Sequence, residues 1–277
     1  VCFLYRCFGE LLMARDLDIE PAATASIRLI SGADPVTLPE GIAPFEADFS
    51  RSGADLVLSE HGAPVLTVAG FFSSPTPVDL VAANGAVLSG DIAARLAGSG
   101  LGAQYAQSGG GSAPVAIGQV ETVSGLATVQ RLDGTIETLR VGSKIFQNDI
   151  ISTTADGAVS VTFSDGTIFS LAQSSRMVID NLVYDPGGSE NSGGFSLLTG
   201  GFVFIAGQVA KTGDMEVTTP TATLGIRGTT VQVDIEILGG VAVVNVALNR
   251  DPDGGLGRIE MTDLDGNLIG VITSTAS

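Results

Sequence analysis

The sharpest chemical pattern in this chain lies in two acidic turns near its end. Asp251-Pro252-Asp253-Gly254-Gly255 and Asp263-Leu264-Asp265-Gly266-Asn267 each set a pair of carboxylates two positions apart, just before a glycine. Hard oxygen ligands at that spacing suit Ca2+, which makes Asp251, Asp253, Asp263 and Asp265 candidate ligands; no other cofactor is expected. Neither stretch completes an EF-hand loop, because the distal bidentate Glu and the full Asp-x-Asp-x-Asp run are missing. Neither matches a nonapeptide calcium repeat. The competing reading makes both stretches plain solvent-facing hairpin turns.

Catalytic chemistry has less to stand on. His61 is the single histidine, so neither a histidine metal cluster nor a Ser-His-Asp network can be assembled around it. It precedes Gly62 at a turn, where a solvated side chain is expected. No Gly-x-x-x-x-Gly-Lys-Ser/Thr run is present to cradle a phosphate. Paired-carboxylate hydrolysis is open on spacing alone, yet the interior aspartates sit mostly beside a glycine, where a side chain has a local job. Arg227 stands in an apolar, glycine-flanked run and is expected to pair with an acid across a sheet, or to mark a ligand groove. A non-enzymatic role follows as the expectation.

Composition narrows the partner. The chain has 277 residues with a formal net charge of −17, and its 13 basic residues are scattered singly. Phosphate binding needs clustered Lys and Arg, so nucleic acid is not an expected partner, and an anionic membrane surface is equally disfavoured. Trp is absent and aromatics are 5%, which leaves Val, Ile, Leu and Ala to fill a core, the mixture pleated sheets accept. Mean hydropathy is +0.39, unlike a polar disordered tail. No stretch reaches the roughly 18 apolar residues of a membrane-spanning helix.

The opening segment reads differently from the rest. Val1–Leu12 holds both cysteines, Cys2 and Cys7, and Met13-Ala14-Arg15-Asp16 has the character of an ordinary start. Val1–Leu12 is therefore expected to come from an over-called start codon, or to be a tail with little structure. It also makes a poor signal peptide, since Arg6 interrupts the apolar run. Without it the protein has no cysteine for a disulfide or thiolate site.

Turn signals then set the organisation. An Asp-Gly or similar pair between alternating apolar runs is a hairpin signature, because both turn residues must tolerate positive φ. Leu56–Val68 has one around His61-Gly62, Thr128–Val141 around Asp133-Gly134, Val159–Leu171 around Asp165-Gly166 and Ile259–Ile272 around Asp265-Gly266. Asn84-Gly85 supplies another inside Leu80–Leu88. Ser89–Ala97 is the best helix candidate, with Ser89 or Asp91 as cap and Ile92 and Leu96 on one face. The expected division is a lead-in over 1–25, a small β module with that helix over 26–97, a Gly/Ser linker over 98–114 and a second β domain over 115–277. Asp185–Gly194 reads as an exposed loop within it.

The second domain resembles a known family. Val120-x-x-Val123-x-Gly125-x-Ala127-x-Val129-x-Arg131-x-Asp133-Gly134 opens the pattern. Leu139-x-Val141-Gly142, Asp149-x-Ile151-x-Thr153, Gly157-x-Val159-x-Val161-x-Phe163-x-Asp165-Gly166-Thr167 and Leu197-Leu198-x-Gly200-Gly201 continue it. Thr219–Thr230 completes it. This is similar to the FecR domain of periplasmic iron-citrate sensors and of many secreted bacterial proteins. The sensor version implies a cytoplasmic sigma-factor-binding segment and a membrane helix, neither of which is read here. In physical terms, Gly142 ends a strand, Asp149 holds a turn amide and Gly200-Gly201 permits a bulge or a close backbone approach. The first module, through Gly53–Leu58 and Val68–Phe72, resembles the prefix region of large bacterial biofilm adhesins, which implies retention at the cell surface. Ala82-Ala83 is similar to the di-alanine cut site of some retention modules, although Val81 and Asn84 depart from its context.

The expected fold is mainly β: a small N-terminal β module, then a FecR-like antiparallel β domain with C-terminal strands, either a sandwich or a short β-solenoid. The expected function is an exported module for cell-envelope or surface attachment, periplasmic or at the cell surface. Its partner would be a protein or an envelope component. The alternative is a periplasmic sensor or anti-sigma-type signalling domain acting through a membrane partner.

Overall fold

Turn chemistry sets the strand frame. The computed structural model describes residues 25–28, 35–74, 76–98, 114–188, 190–212, 214–251 and 254–275; Cys2, Cys7, nearly all of the lead-in and residues 99–113 of the linker lie outside them. His61 and Gly62 take φ of 52° and 79° and close the hairpin between Asp55–Glu60 and Ala63–Ala69. Positive φ at both loop positions gives a twist that matches the flanking strands. In the expected Asp-Gly turns the glycine alone takes positive φ, with Gly134, Gly166 and Gly266 each at 86°, and the aspartates do not. Asn84-Gly85 joins the short strands Leu80–Val81 and Val87–Leu88.

The N-terminal strands form two small sheets. One runs Ala25–Arg28, Ala63–Ala69, Asp55–Glu60, Asp48–Ser52, with the first pair parallel. The other joins Val36–Thr37 to Leu80–Val81 and Val87–Leu88. The helix spans Gly90–Leu96. Ser89 Oγ accepts from Ile92 N at 3.3 Å, while Asp91 and Arg95 lie at the ends their charges favour.

Beyond residue 114 the strands make two layers. One sheet runs Ile136–Thr138, Ala127–Gln130, Ile150–Thr153, Arg176–Val183, the first part of Ser192–Ile205, Asp214–Thr218, Thr223–Arg227, Arg258–Thr262 and Leu268–Ile272. The other runs Lys144–Ile145, Gly118–Ser124, Ala158–Phe163, Ile168–Leu171, the second part of Ser192–Ile205, Thr230–Leu238 and Val241–Asn249. Ser192–Ile205 thus belongs to both layers. Gly200, at φ 97°, marks the change, where a β-carbon would come within 2.5 Å of Ser175 Cα. The expected close approach at Gly200-Gly201 is therefore a strand changing sheets.

The layers share one buried core. Phe195, on the first sheet, packs its ring 5.2 Å from Phe163 and 4.6 Å from Phe169 on the second. Two facing sheets over a common core make a sandwich, not a solenoid. The expected all-antiparallel pairing needs correction. Ser192–Ser196 runs parallel to Asp214–Thr218, with the short helix Val209–Thr212 in the connection that returns the chain. The expected loop over 185–194 is also shorter than read: Gly193 and Gly194 already pair with Leu182 and Asn181.

The N-terminal sheets do not stand apart. Ile150, Val178 and Leu198 point away from the sandwich core and are buried with Phe45, Leu56, Leu66, Leu88 and Ile92. Their sequence neighbours Ile151, Met177, Ile179 and Leu197 point the other way, into the sandwich. These strands are buried on both faces, which is why adjacent apolar residues replace alternation there. The backbone joins in as well, since Val87 N donates to Pro220 O at 2.9 Å.

Candidate functional site

The chemistry-bearing side chains gather along the seam between the N-terminal sheets and the sandwich. Helix Gly90–Leu96 brings Arg95 to the outer face of strand Arg176–Val183. There Arg95 Nη1 donates to Asp180 Oδ1 at 3.2 Å. Asp180 Oδ2 accepts from Ser196 Oγ at 2.7 Å. Burial pushes the Asp180 carboxyl up, and the Ser196 hydroxyl and Arg95 pull against it. Burial likewise lowers Arg95, with Asp180 opposing. Gln130 Nε2 closes the helix end by donating to Arg95 O and Leu96 O at 2.9 and 3.3 Å. Beside this pair lies a cleft of about 440 Å³ lined by Phe45, Asp91, Arg95, Asp180, Ser196 and Thr219, among others. Hydroxyls, an ion pair and one aromatic wall suit hydrogen bonding to a polar ligand or a peptide segment.

Arg176 anchors the other side of the seam. Its Nη1 donates to Ala47 O at 2.9 Å and its Nη2 lies 3.8 Å from Asp48 Oδ1. Burial lowers this guanidinium, while Asp48 and Glu46 oppose the shift. It lines clefts of about 660 and 400 Å³ that flank the docked module.

Buried acids elsewhere hold loops. Asp149 Oδ2 accepts from Phe146 N at 2.7 Å and from Arg131 Nη1 at 2.6 Å. This is the turn amide expected from sequence, with an ion pair added. Burial raises the Asp149 carboxyl to about 6, against the pull of the Phe146 amide and Arg131. Asp165 accepts from Thr167 N, Thr167 Oγ1 and Val209 N at 3.0, 2.7 and 3.2 Å. It thereby fastens its own hairpin turn to the start of helix Val209–Thr212.

Of the proposed calcium ligands, Asp251, Asp263 and Asp265 fall among the described residues, where local bonds engage Asp251 and Asp263. Asp263 Oδ1 accepts from Asp265 N and Asn267 N, and Oδ2 accepts from Asn267 Nδ2 at 2.9 Å. These bonds, the Asn267 side chain first, hold its carboxyl below the ordinary range. Asp265 is exposed. Asp251 Oδ1 accepts from Thr230 Oγ1 at 2.9 Å, and Asp253 lies outside the described residues. Among the described residues no group of three or more His, Cys, Asp and Glu side chains is placed to hold a metal ion. His61 is exposed at its turn. Arg227 pairs with Asp214 Oδ1 at 3.1 Å, but the side chains are 54% and 78% exposed. Arg227 thus pairs with an acid across the sheet as expected, on the solvent side of its strand and not in a ligand groove.

Sequence reading missed Asp180 and Arg95. Arg95 reads as an ordinary basic residue in a last helical turn. Asp180 gave the better signal, an acid with no adjacent glycine inside the apolar run Met177–Val183.

Comparison with known proteins adds three findings. The family model described as FecR protein matches residues 149–249; this segment begins later than the resemblance from Val120 and extends past Thr230 to Asn249. No curated protein matches the chain. A solved structure titled "Cell surface anchoring domain" is similar at 32% identity, covering 22% of this chain and 82% of that one, with a TM-score of 0.22.

Proposed function

We propose that this chain is a non-enzymatic binding module of the bacterial cell envelope or surface, with the N-terminal sheets and the FecR segment working as one body. The observation that carries this reading is the use of its acids. Asp149 and Asp165 are buried and fasten loops, and Asp180 fastens the N-terminal helix. The acidic composition and the match over 149–249 support an exported protein of the FecR kind. Recognition falls to the seam, whose clefts offer hydroxyl and backbone groups held by a rigid frame. Fractionation of the native organism tests this: the protein is expected in the periplasm or on the surface, and a wholly cytosolic protein overturns the reading.

A second reading has one specific observation in its favour, the FecR match itself. A periplasmic sensor acting through a membrane partner would use the same segment. Capture of a sigma regulator or an outer-membrane receptor by the purified chain favours it over attachment. Capture of an envelope polymer or structural component favours attachment.

A further inference from the structure

The sheet edges differ sharply in how they meet water. Asp48–Ser52 carries Asp48 and Arg51, Ile136–Thr138 carries Glu137, and Lys144–Ile145 carries Lys144. Charges on an edge discourage pairing with another chain. Leu268–Ile272 closes one layer of the sandwich and, among the described residues, pairs only with Arg258–Thr262. Its sequence, Leu-Ile-Gly-Val-Ile, has no charge and no proline. Leu268, Ile269 and Val271 are 63%, 57% and 41% exposed. A β-carbon at Gly270 would meet nothing within 4 Å.

We propose that Leu268–Ile272 is a homotypic docking edge, where a second copy of this chain adds its own Leu268–Ile272 antiparallel and continues the sheet. The strand is self-complementary about Gly270. A two-fold axis there sets Leu268 opposite Ile272 and Ile269 opposite Val271, apolar against apolar on both faces, with glycine crossing glycine at the centre. The neighbouring strand sets no unpaired acid against this edge, since its one carboxylate, Glu260, opposite Val271, is paired with Arg258. Asp263 and Asp265 stay at the turn, and the two-fold arrangement puts the turns of the two copies at opposite ends of the docked edge.

The other uncharged edge of the sandwich, Val241–Asn249, does not carry the same argument. Its neighbour strand sets Asp234 and Glu236 opposite Asn245 and Val243. A two-fold pairing there would bring two acidic rows toward each other, in a chain that already carries −17.

Sedimentation velocity on the full chain, from about 10 µM to about 1 mM, tests the proposal by mass action. The wild type is expected to show a monomer–dimer equilibrium that persists as salt rises, since apolar contacts and backbone hydrogen bonds hold it. Ile269→Lys combined with Val271→Lys is expected to raise the dimer dissociation constant at least about 10-fold, since edge lysines block strand addition. Both sites are exposed, and an unchanged melting temperature verifies the fold. Val243→Lys is expected to leave the dimer intact. A wild type that stays monomeric at every concentration overturns the proposal. So does a dimer that survives the double lysine variant and is lost with Val243→Lys.

Discussion

Arg95 Nη1 and Asp180 Oδ1 lie 3.2 Å apart, and this contact ties the last turn of helix Gly90–Leu96 to the outer face of the sandwich. The Arg95 side chain is 14% exposed and that of Asp180 33%. The pair therefore lies in a partly dry seam, where desolvation is incomplete: Asp180 Oδ2 is bonded to Ser196 Oγ, while the buried Arg95 Nε has no hydrogen-bond partner among the described residues. Removing one partner leaves the other charge behind in the seam. We expect Arg95→Ala to destabilise by roughly 2 kcal/mol, less than the about 3–5 kcal/mol of a fully buried pair. Urea denaturation of Arg95→Ala, Asp180→Asn and the double variant measures it. A coupling energy well above zero identifies the pair as the tie.

Asp165 supports a second relationship, between a hairpin turn and the helix Val209–Thr212. The residue is 3% exposed and its side chain accepts three hydrogen bonds. Asp165→Ala strands the donors of Thr167 and Val209. We expect a loss of about 3 kcal/mol, since each unsatisfied buried donor costs about 1–3 kcal/mol. Asp165→Asn keeps one acceptor oxygen and should lose less. Thermal melts of both variants check the order.

Much of this frame was legible in the sequence because turn chemistry is local. His61-Gly62, Asp133-Gly134, Asp165-Gly166 and Asp265-Gly266 declared their hairpins through residues that tolerate positive φ. Asp149 declared a loop clasp. What escaped was whatever depends on partners distant in sequence. The parallel pairing of Ser192–Ser196 with Asp214–Thr218 has no local signature. Nor has the covering of Ile150, Val178 and Leu198 by residues some hundred positions earlier. The doublets Ile150-Ile151 and Leu197-Leu198 did hint at burial on both faces. Arg227 was legible as the partner of an acid across the sheet, while its exposure follows from strand alternation, which turns it outward to Asp214.

Gly200 should tolerate no side chain. It combines φ 97° with a close approach in which a β-carbon would lie 2.3 Å from Ser175 Oγ. Ser175 is itself held, donating to Gly201 O and accepting from Gly201 N at 3.2 and 3.1 Å. We expect Gly200→Ala to cost about 3 kcal/mol, the sum of left-handed strain and overpacking. Gly239 has φ 61° and nothing within 4 Å, so Gly239→Ala should carry the strain alone, about 1 kcal/mol. Comparing the two denaturation midpoints separates backbone conformation from close packing.

The Asp263 turn should be indifferent to calcium. Its carboxylate already accepts from Asp265 N, Asn267 N and Asn267 Nδ2, which are local bonds that need no ion. We expect Asp263→Ala to lower the melting temperature by the same amount in chelator and in millimolar Ca2+. A loss seen only in Ca2+, with a Ca2+-induced rise in the wild type, would restore Asp251, Asp263 and Asp265 as ligands.

Asp149 should give the fold an acid-side bonus. Its carboxyl is raised from 3.8 to about 6, chiefly by burial. Between those values the folded chain holds a proton that the unfolded chain has released, so stability falls as pH rises. The contribution is fully present below about 4 and is lost once pH passes about 6, the opposite sign to a carboxylate whose value is depressed. Arg131 and the Phe146 amide limit the rise, so Arg131→Ala should carry the midpoint higher and extend the slope toward neutral pH. Asp149→Asn removes the titrating group and keeps an acceptor for Phe146 N. We expect its stability to lose the slope between pH 4 and 6 that the wild type shows. Denaturant midpoints across that range, with a carbon-detected titration of the Asp149 carboxyl, check both statements. A wild type whose stability instead rises through the window would mean that Arg131 outweighs burial at this site.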